Sequence, residues 1–258
     1  MSIVTVSGQE IYYTDTQGDG PAVVFSHGAL LDSGMWDETV RALVPGVRAI
    51  AWDARLHGRT PGTRTDHTFW DAGQDLLGLL DALGIDRAFL AGHSQGGFTA
   101  LRAALLAPAR VSGLILLDTM AAAWPPEAIA QLSGARDGLA AAGPEAVAPG
   151  LLPALVGGDG YESWLARWRQ QGGQRLASAL EVLAAADDIS SRLAEVSAPA
   201  LVIHAEADPI IPLAAGRPLN AALPGAGELV VVPGAGVHAP VLTHPDTVIP
   251  AIRKFLRQ

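Results

Sequence analysis

Apolar residues fall along this chain in two patterns, short unbroken runs and helix-spaced stripes, and the two alternate. Residues 22–25, 88–91, 114–117 and 200–203 are apolar runs, the pattern of strands buried on both faces, and 47–52 and 228–232, which carry Arg48 and Glu228, also read as strands. Leu76, Leu77, Leu80 and Leu83 share a helical spacing in 71–83, as do Phe98, Leu101 and Leu105 in 97–107, and further helices are expected over 35–43 and 245–256. The opening stretch is different: residues 2–7 and 10–16 alternate about Gly8-Gln9 and predict an antiparallel hairpin. Together these elements predict an α/β fold, with a mostly parallel central sheet of about eight strands flanked by helices.

The alternation stops between residues 121 and 195. No strand-like run occurs there, and alanine-rich helical pieces are broken by Pro125-Pro126, Gly143-Pro144, Pro149-Gly150, Pro153 and Gly157-Gly158. The stretch reads as an insertion of short helices after the sixth strand, so that residues 1–120 and 196–258 make one core domain around it. Trp124, Trp164 and Trp168 all lie in the insertion.

Composition narrows the picture. Of 258 residues, 49% are hydrophobic and 17% charged, enough apolar material for a buried core and too little charge for a disordered chain. A net charge of −9, with no cluster of Lys or Arg to offset it, argues against nucleic acid or an anionic membrane as partner. The absence of cysteine removes disulfides, Cys-based zinc sites and a cysteine nucleophile. Neither a long uninterrupted apolar span nor a basic-then-apolar N-terminal segment is present, so a soluble, cytoplasmic protein is expected. His57, His204 and His244 lack metal-ligand spacing, and no glycine-rich nucleotide motif occurs, so no metal and no cofactor are expected.

Candidate chemistry gathers at Gly92-His93-Ser94-Gln95-Gly96, set between the run 88–91 and the helical stripe 97–107. A serine in a tight strand-to-helix turn projects its hydroxyl outward, and Gly92, Gly96 and Gly97 leave room for the two elements to approach. The plainer reading of the same string is a glycine-rich turn without chemistry. Context favours the first. The amide of Gln95 would open a helix, where an unpaired N–H attracts a negative oxygen. A reactive serine also needs a base and a group to orient it, and parallel sheets deliver such residues from loops at the C-terminal strand edge. The loop after 200–203 carries Asp208, and the loop after 228–232 carries His238, giving the chain order Ser94, Asp208, His238. Asp118, which follows the run 114–117, is an alternative acid.

These residues, with His27-Gly28-Ala29, the loop beginning at Asp53 and the Asp208-Pro209-Ile210 segment, make the chain resemble the α/β-hydrolase fold superfamily over nearly its whole length. The resemblance implies a serine hydrolase with Ser94, Asp208 and His238 as triad, Ala29 and Gln95 as backbone oxyanion donors, and residues 121–195 as a helical cap. Trp124, Trp164, Trp168 and Leu30 are candidates to line a substrate pocket beneath it. Two places depart from the family pattern: Leu56 and Thr60 stand where glycine and serine are usual, and Val237 separates Gly236 from His238. The expected reaction is cleavage of a small-to-medium apolar carboxylic ester or lactone through an acyl-enzyme. C–C bond hydrolysis, cofactor-free perhydrolysis, or a ligand-binding receptor with vestigial hydrolysis remain alternatives on the same scaffold.

Overall fold

The computed structural model describes residues 2–62 and 65–257; positions 1 and 258 of the expected core, and 63 and 64, lie outside the described residues. The opening hairpin becomes β1 (Ser2–Val6) and β2 (Gln9–Asp15), and the later strand segments become β3 (Ala22–Ser26), β4 (Arg48–Trp52), β5 (Ala88–His93), β6 (Val111–Leu117), β7 (Ala200–Ala205) and β8 (Val230–Val232). They form one eight-stranded sheet in the order β1-β2-β4-β3-β5-β6-β7-β8. Only β1 with β2 and β2 with β4 pair antiparallel. All other neighbours run parallel. β6 begins three residues before the apolar run does, because Val111 and Gly113 already pair with Ala88 and Phe89 although Ser112 and Gly113 interrupt the apolar pattern.

Among the described residues ten α-helices accompany the sheet: α1 (Asp37–Leu43), α2 (Phe69–Ala82), α3 (Gln95–Leu106), α4 (Pro126–Ala142), α5 (Pro144–Val156), α6 (Tyr161–Gln171), α7 (Gly173–Ala184), α8 (Leu213–Ala222), α9 (Pro240–Thr243) and α10 (Pro245–Phe255). Each central strand divides its side chains between two cores. Val24, Leu90, Leu114, Leu116 and Val202 pack with α2, α3 and α8. Val23, Phe25, Ala91, Ile115, Leu117 and Ile203 pack on the other side with α1 and α10. Burial on both faces is why these strands read as unbroken apolar runs. α2 starts two residues before its leucine stripe suggests. Thr68 and Asp71 form a reciprocal capping box that satisfies the first amides, and Phe69 and Ala72 already face the core.

Helices α4 to α7 all lie between β6 and β7, where the strand pattern lapsed. Gly143, at φ +78°, takes the left-handed turn that ends α4 and admits Pro144 as the first residue of α5. The four helices pack on one another in sequence, with α7 returning along α4. Leu139, Leu152, Leu155, Leu176 and Leu183 join the same buried cluster as Phe25 and Ala91, so the insertion sits on the core as a continuous packed layer. Among the described residues, no helix is long and apolar enough to cross a membrane.

The joint between β5 and α3 is the tightest in the sheet. A Cβ on Gly96 would strike the backbone carbonyls of Ser26 and His27, and one on Gly92 would strike the backbone of Gly96 and Gly97. Neither obstacle is a flexible side chain. We expect Gly96→Ala to lower unfolding free energy by about 1–3 kcal/mol, read from urea midpoints, because the backbone of β3 or α3 must move to admit the methyl group.

Candidate active site

Ser94 occupies the turn out of β5 with φ +52° and ψ −119°, outside the regions that non-glycine residues ordinarily adopt. Its amide donates to the Leu117 carbonyl at 2.9 Å and its carbonyl accepts from Gly97 at 2.8 Å. Thr119 Oγ1 donates to the same carbonyl at 2.8 Å. The turn is thereby held from the β6 side as well as by its own helix.

His238 comes to this turn from the loop after β8. Its Nδ1 lies 2.8 Å from Asp208 Oδ2, while Nε2 is buried and takes no hydrogen bond from a described residue. Asp208 Oδ1 accepts the amides of Ile210 at 2.8 Å and Ile211 at 3.1 Å. Burial pushes the Asp208 carboxyl up, but His238 and these two amides outweigh it and leave the group below the usual carboxylate range. The extra Val237 does not misdirect the imidazole, because the loop backbone is pinned elsewhere. The amides of His238 and Ala239 donate to the carbonyls of Ala154 and Leu155 at 2.8 and 2.9 Å. Those carbonyls belong to the last turn of α5, which has no further helical amides to offer them.

Ser94 and His238 open together on a cavity of about 120 Å³. Ala29, Leu30, Leu151, Leu155, Leu180, Leu183 and Ile210 give it an apolar wall, with Trp124, Leu132 and Ala135 toward α4. Gln131 is the one other polar side chain, and no charged residue lines the cavity among those described. No described residue accepts a hydrogen bond from the amide of Ala29 or of Gln95. The Gln95 side chain turns instead to His57 Nε2 at 3.3 Å. The backbone N–H of each is thus without an acceptor among the described residues.

Two of the expected pocket residues do not line it. Trp168 is fully buried and donates its indole N–H to the Leu30 carbonyl at 2.7 Å. Trp164 is buried beneath the Arg167 guanidinium, 4.8 Å from its ring centre, and Arg167 in turn binds Asp32 at 2.6 Å. Both tryptophans fasten α6 to the loop after β3, whereas Trp124 and Leu30 line the cavity. The wall contributed by Ala128, Leu132 and Ala135 was missed, although their i, i+4, i+7 spacing is a helix stripe visible in the sequence. The family departures are absorbed locally. Leu56 adopts φ +66° in glycine's place, and Thr60 Oγ1 accepts from Tyr12 and donates to the Asp53 carbonyl as a serine would.

His27 and His93 serve as scaffold. His27 Nδ1–H donates to the Gly28 carbonyl at 2.8 Å while its Nε2 accepts the Ala54 amide at 2.9 Å. His93 Nε2–H donates to the His238 carbonyl at 2.7 Å. Asp118, His204 and Asp208 bring one ligand-type atom each within 4.8 Å of one another, a grouping that linear spacing does not reveal. Hydrogen bonds inside the protein account for its geometry. His204 Nε2, 3.7 Å from Asp208, already meets the Ile211 carbonyl at 2.8 Å, and Nδ1 faces Gly216.

With this geometry in place, comparison with known proteins gives a consistent answer. Residues 21–245 match the family model for the alpha/beta hydrolase fold, and the chain belongs to that family. It is 32% identical over 215 residues to 3-oxoadipate enol-lactonase 1 of Acinetobacter baylyi, covering 77% of this chain and 76% of that protein. Among solved structures it is similar to the enol-lactonase from Burkholderia xenovorans, with a TM-score of 0.90, 27% identity and the whole of both chains covered. A thermophilic esterase from Thermogutta terrifontis superposes with a TM-score of 0.88 at 29% identity, over 100% of this chain and 98% of that one.

Two measurements check this description. Trp168→Phe keeps the ring but strips the Leu30 carbonyl of its donor, and should lower stability by about 1–3 kcal/mol. The second concerns acid. Burial, and next the neighbouring His238, push His93 from 6.5 down to about 3. Below pH 6.5 the unfolded chain then binds a proton that the folded chain refuses, so stability present at neutral pH is lost as the pH falls. Between pH 7 and 5 this group should remove about 2 kcal/mol, and His93→Asn should flatten the acid slope of the urea midpoint.

Proposed function

We propose that the protein is a serine hydrolase that cleaves a small, uncharged, apolar carboxylic ester or lactone through an acyl-enzyme. The observation that carries this reading is the meeting of Ser94, on its strained turn, with the Asp208-backed His238 at one apolar cavity. His238 Nε2 takes the proton of Ser94 Oγ as the oxygen attacks the carbonyl carbon. The amides of Ala29 and Gln95 receive the oxyanion, each such donor being worth about 3–4 kcal/mol of barrier. The imidazolium then returns the proton to the departing alcohol oxygen. Water enters, His238 deprotonates it, and the same sequence releases the acid. Asp208 keeps the proton of His238 on Nδ1, so that Nε2 faces the serine. In this reading helices α4 to α7 are a cap that supplies the acyl-binding wall and keeps bulk water from the oxyanion.

The cavity lining bears on substrate class. A lactone derived from a dicarboxylic acid, as 3-oxoadipate enol-lactone is, retains one carboxylate. No described cation lines this cavity, and burying that charge there unpaired would be costly. The lining therefore favours neutral acyl groups of a few carbons.

A panel of p-nitrophenyl esters tests both parts. Turnover of the butyrate should fall by at least about 10³-fold in Ser94→Ala and in His238→Ala, with a phosphonate labelling Ser94 in the wild type. An acyl chain ending in a carboxylate should be a poorer substrate than its neutral isostere. Undiminished turnover in Ser94→Ala would sink the proposal.

A further inference from the structure

Behind His238 there is one more carboxyl group than a serine-histidine-aspartate relay uses. Asp118 ends β6 at φ +46°, reaching the end of β7, where its Oδ1 accepts the Ala205 amide at 2.7 Å. Its other oxygen, Oδ2, is buried, and no described residue donates to it. A carboxyl oxygen of Asp118 lies within 4.8 Å of one of Asp208, with both residues buried. Two ionised carboxylates buried this close repel each other and have only acceptors to offer, so the arrangement favours a proton on one of them.

The surrounding donors decide which acid keeps that proton. Asp208 has Ile210 and Ile211 amides on Oδ1 and His238 on Oδ2, three partners that favour its charge. Asp118 has a single backbone donor. The titratable groups facing the pair are His204, His238 and, behind the latter, His93. His204 Nε2–H is spent on the Ile211 carbonyl and His93 Nε2–H on the His238 carbonyl, so neither brings a donor to Asp118. Burial, and then the charge of Asp208, push the Asp118 carboxyl well above the ordinary carboxylate range.

We propose that Asp118 is a neutral carboxylic acid that donates a hydrogen bond to Asp208 and so holds that carboxylate on His238, as a positioning residue. The proposal rests on the serine-hydrolase reading above. Its O–H fixes the rotation of the Asp208 carboxylate about its last bond. Because the pair carries one charge and not two, His238 can still release its proton to the leaving group. The chain then has two aspartates at the triad with different duties: Asp208 bears the charge, and Asp118 bears the proton.

Substitution separates these duties. Asp118→Asn keeps a neutral donor of nearly the same shape, and should leave kcat/KM on a neutral ester within about 3-fold, with the midpoint of its acid limb unmoved. Asp118→Leu keeps the bulk and loses the donor. Its kcat should fall roughly 10- to 100-fold with KM little changed, as expected for one lost buried hydrogen bond. Infrared spectra at neutral pH should contain the carbonyl stretch of a protonated carboxylic acid, sensitive to D₂O and missing from Asp118→Asn. A downward shift of the acid limb in Asp118→Asn would show that Asp118 had been ionised, and would overturn the proposal. So would the absence of the infrared band, or a loss in Asp118→Asn as deep as in Asp208→Asn. The infrared readout needs no turnover, so it answers even if Asp118→Leu fails to fold. Turnover surviving in Ser94→Ala would count against the hydrolase reading alone.

Discussion

A residue that is not glycine, held at φ +52° and ψ −119°, is the constraint on which this molecule turns. Such a backbone costs of order 1–3 kcal/mol and persists only where its surroundings allow nothing else. Here β6 supplies the Leu117 carbonyl and Thr119 supplies a hydroxyl, both bonded to Ser94. Glycines on either side let α3 settle against β5 and β3 at backbone contact. The strain at one residue is thus maintained by packing spread over three strands and a helix. The result is a hydroxyl presented above the sheet, beside the first free amide of α3.

Around that point the sheet edge and the helical insertion contribute in different ways. The loops after β6, β7 and β8 deliver Asp118, Asp208 and His238, all buried, with His238 bonded to Asp208 and Asp118 bonded to the Ala205 amide. The insertion delivers apolar surface, and it steadies the loop after β3 through Trp168 and Arg167. Polar precision comes from the sheet and shape from the helices, so the polar cluster and the apolar lining of the cavity are written in separate parts of the chain.

Much of this was legible in the sequence, for identifiable reasons. Strands buried on both faces leave unbroken apolar runs, and the serine turn leaves glycines at fixed offsets, so the sheet and Ser94 could be placed directly. The loops bearing Asp208 and His238 followed from where parallel strands end. Other features depend on facing, which linear order does not encode. Trp164 and Trp168 were expected at the pocket because aromatic residues suit apolar ligands, yet the indole N–H of Trp168 is taken up by a backbone carbonyl. The start of α2 was missed because Thr68 acts through a capping box with Asp71, ahead of any apolar stripe. The approach of Asp118 to Asp208 joins the ends of two strands far apart in sequence, and only the register of β6 on β7 brings it about.

The end of α5 is tied to the loop of His238 and Ala239 by two main-chain hydrogen bonds. α4, across the cavity, has no hydrogen bond to the sheet among the described residues. Lifting α5 would drag the backbone of His238 with it, whereas α4 is held by packing along α7 and by the buried Leu139. One wall of the cavity is thus tied through main-chain bonds to the loop that carries the imidazole, and the facing wall of Trp124, Leu132 and Ala135 is attached by side-chain packing.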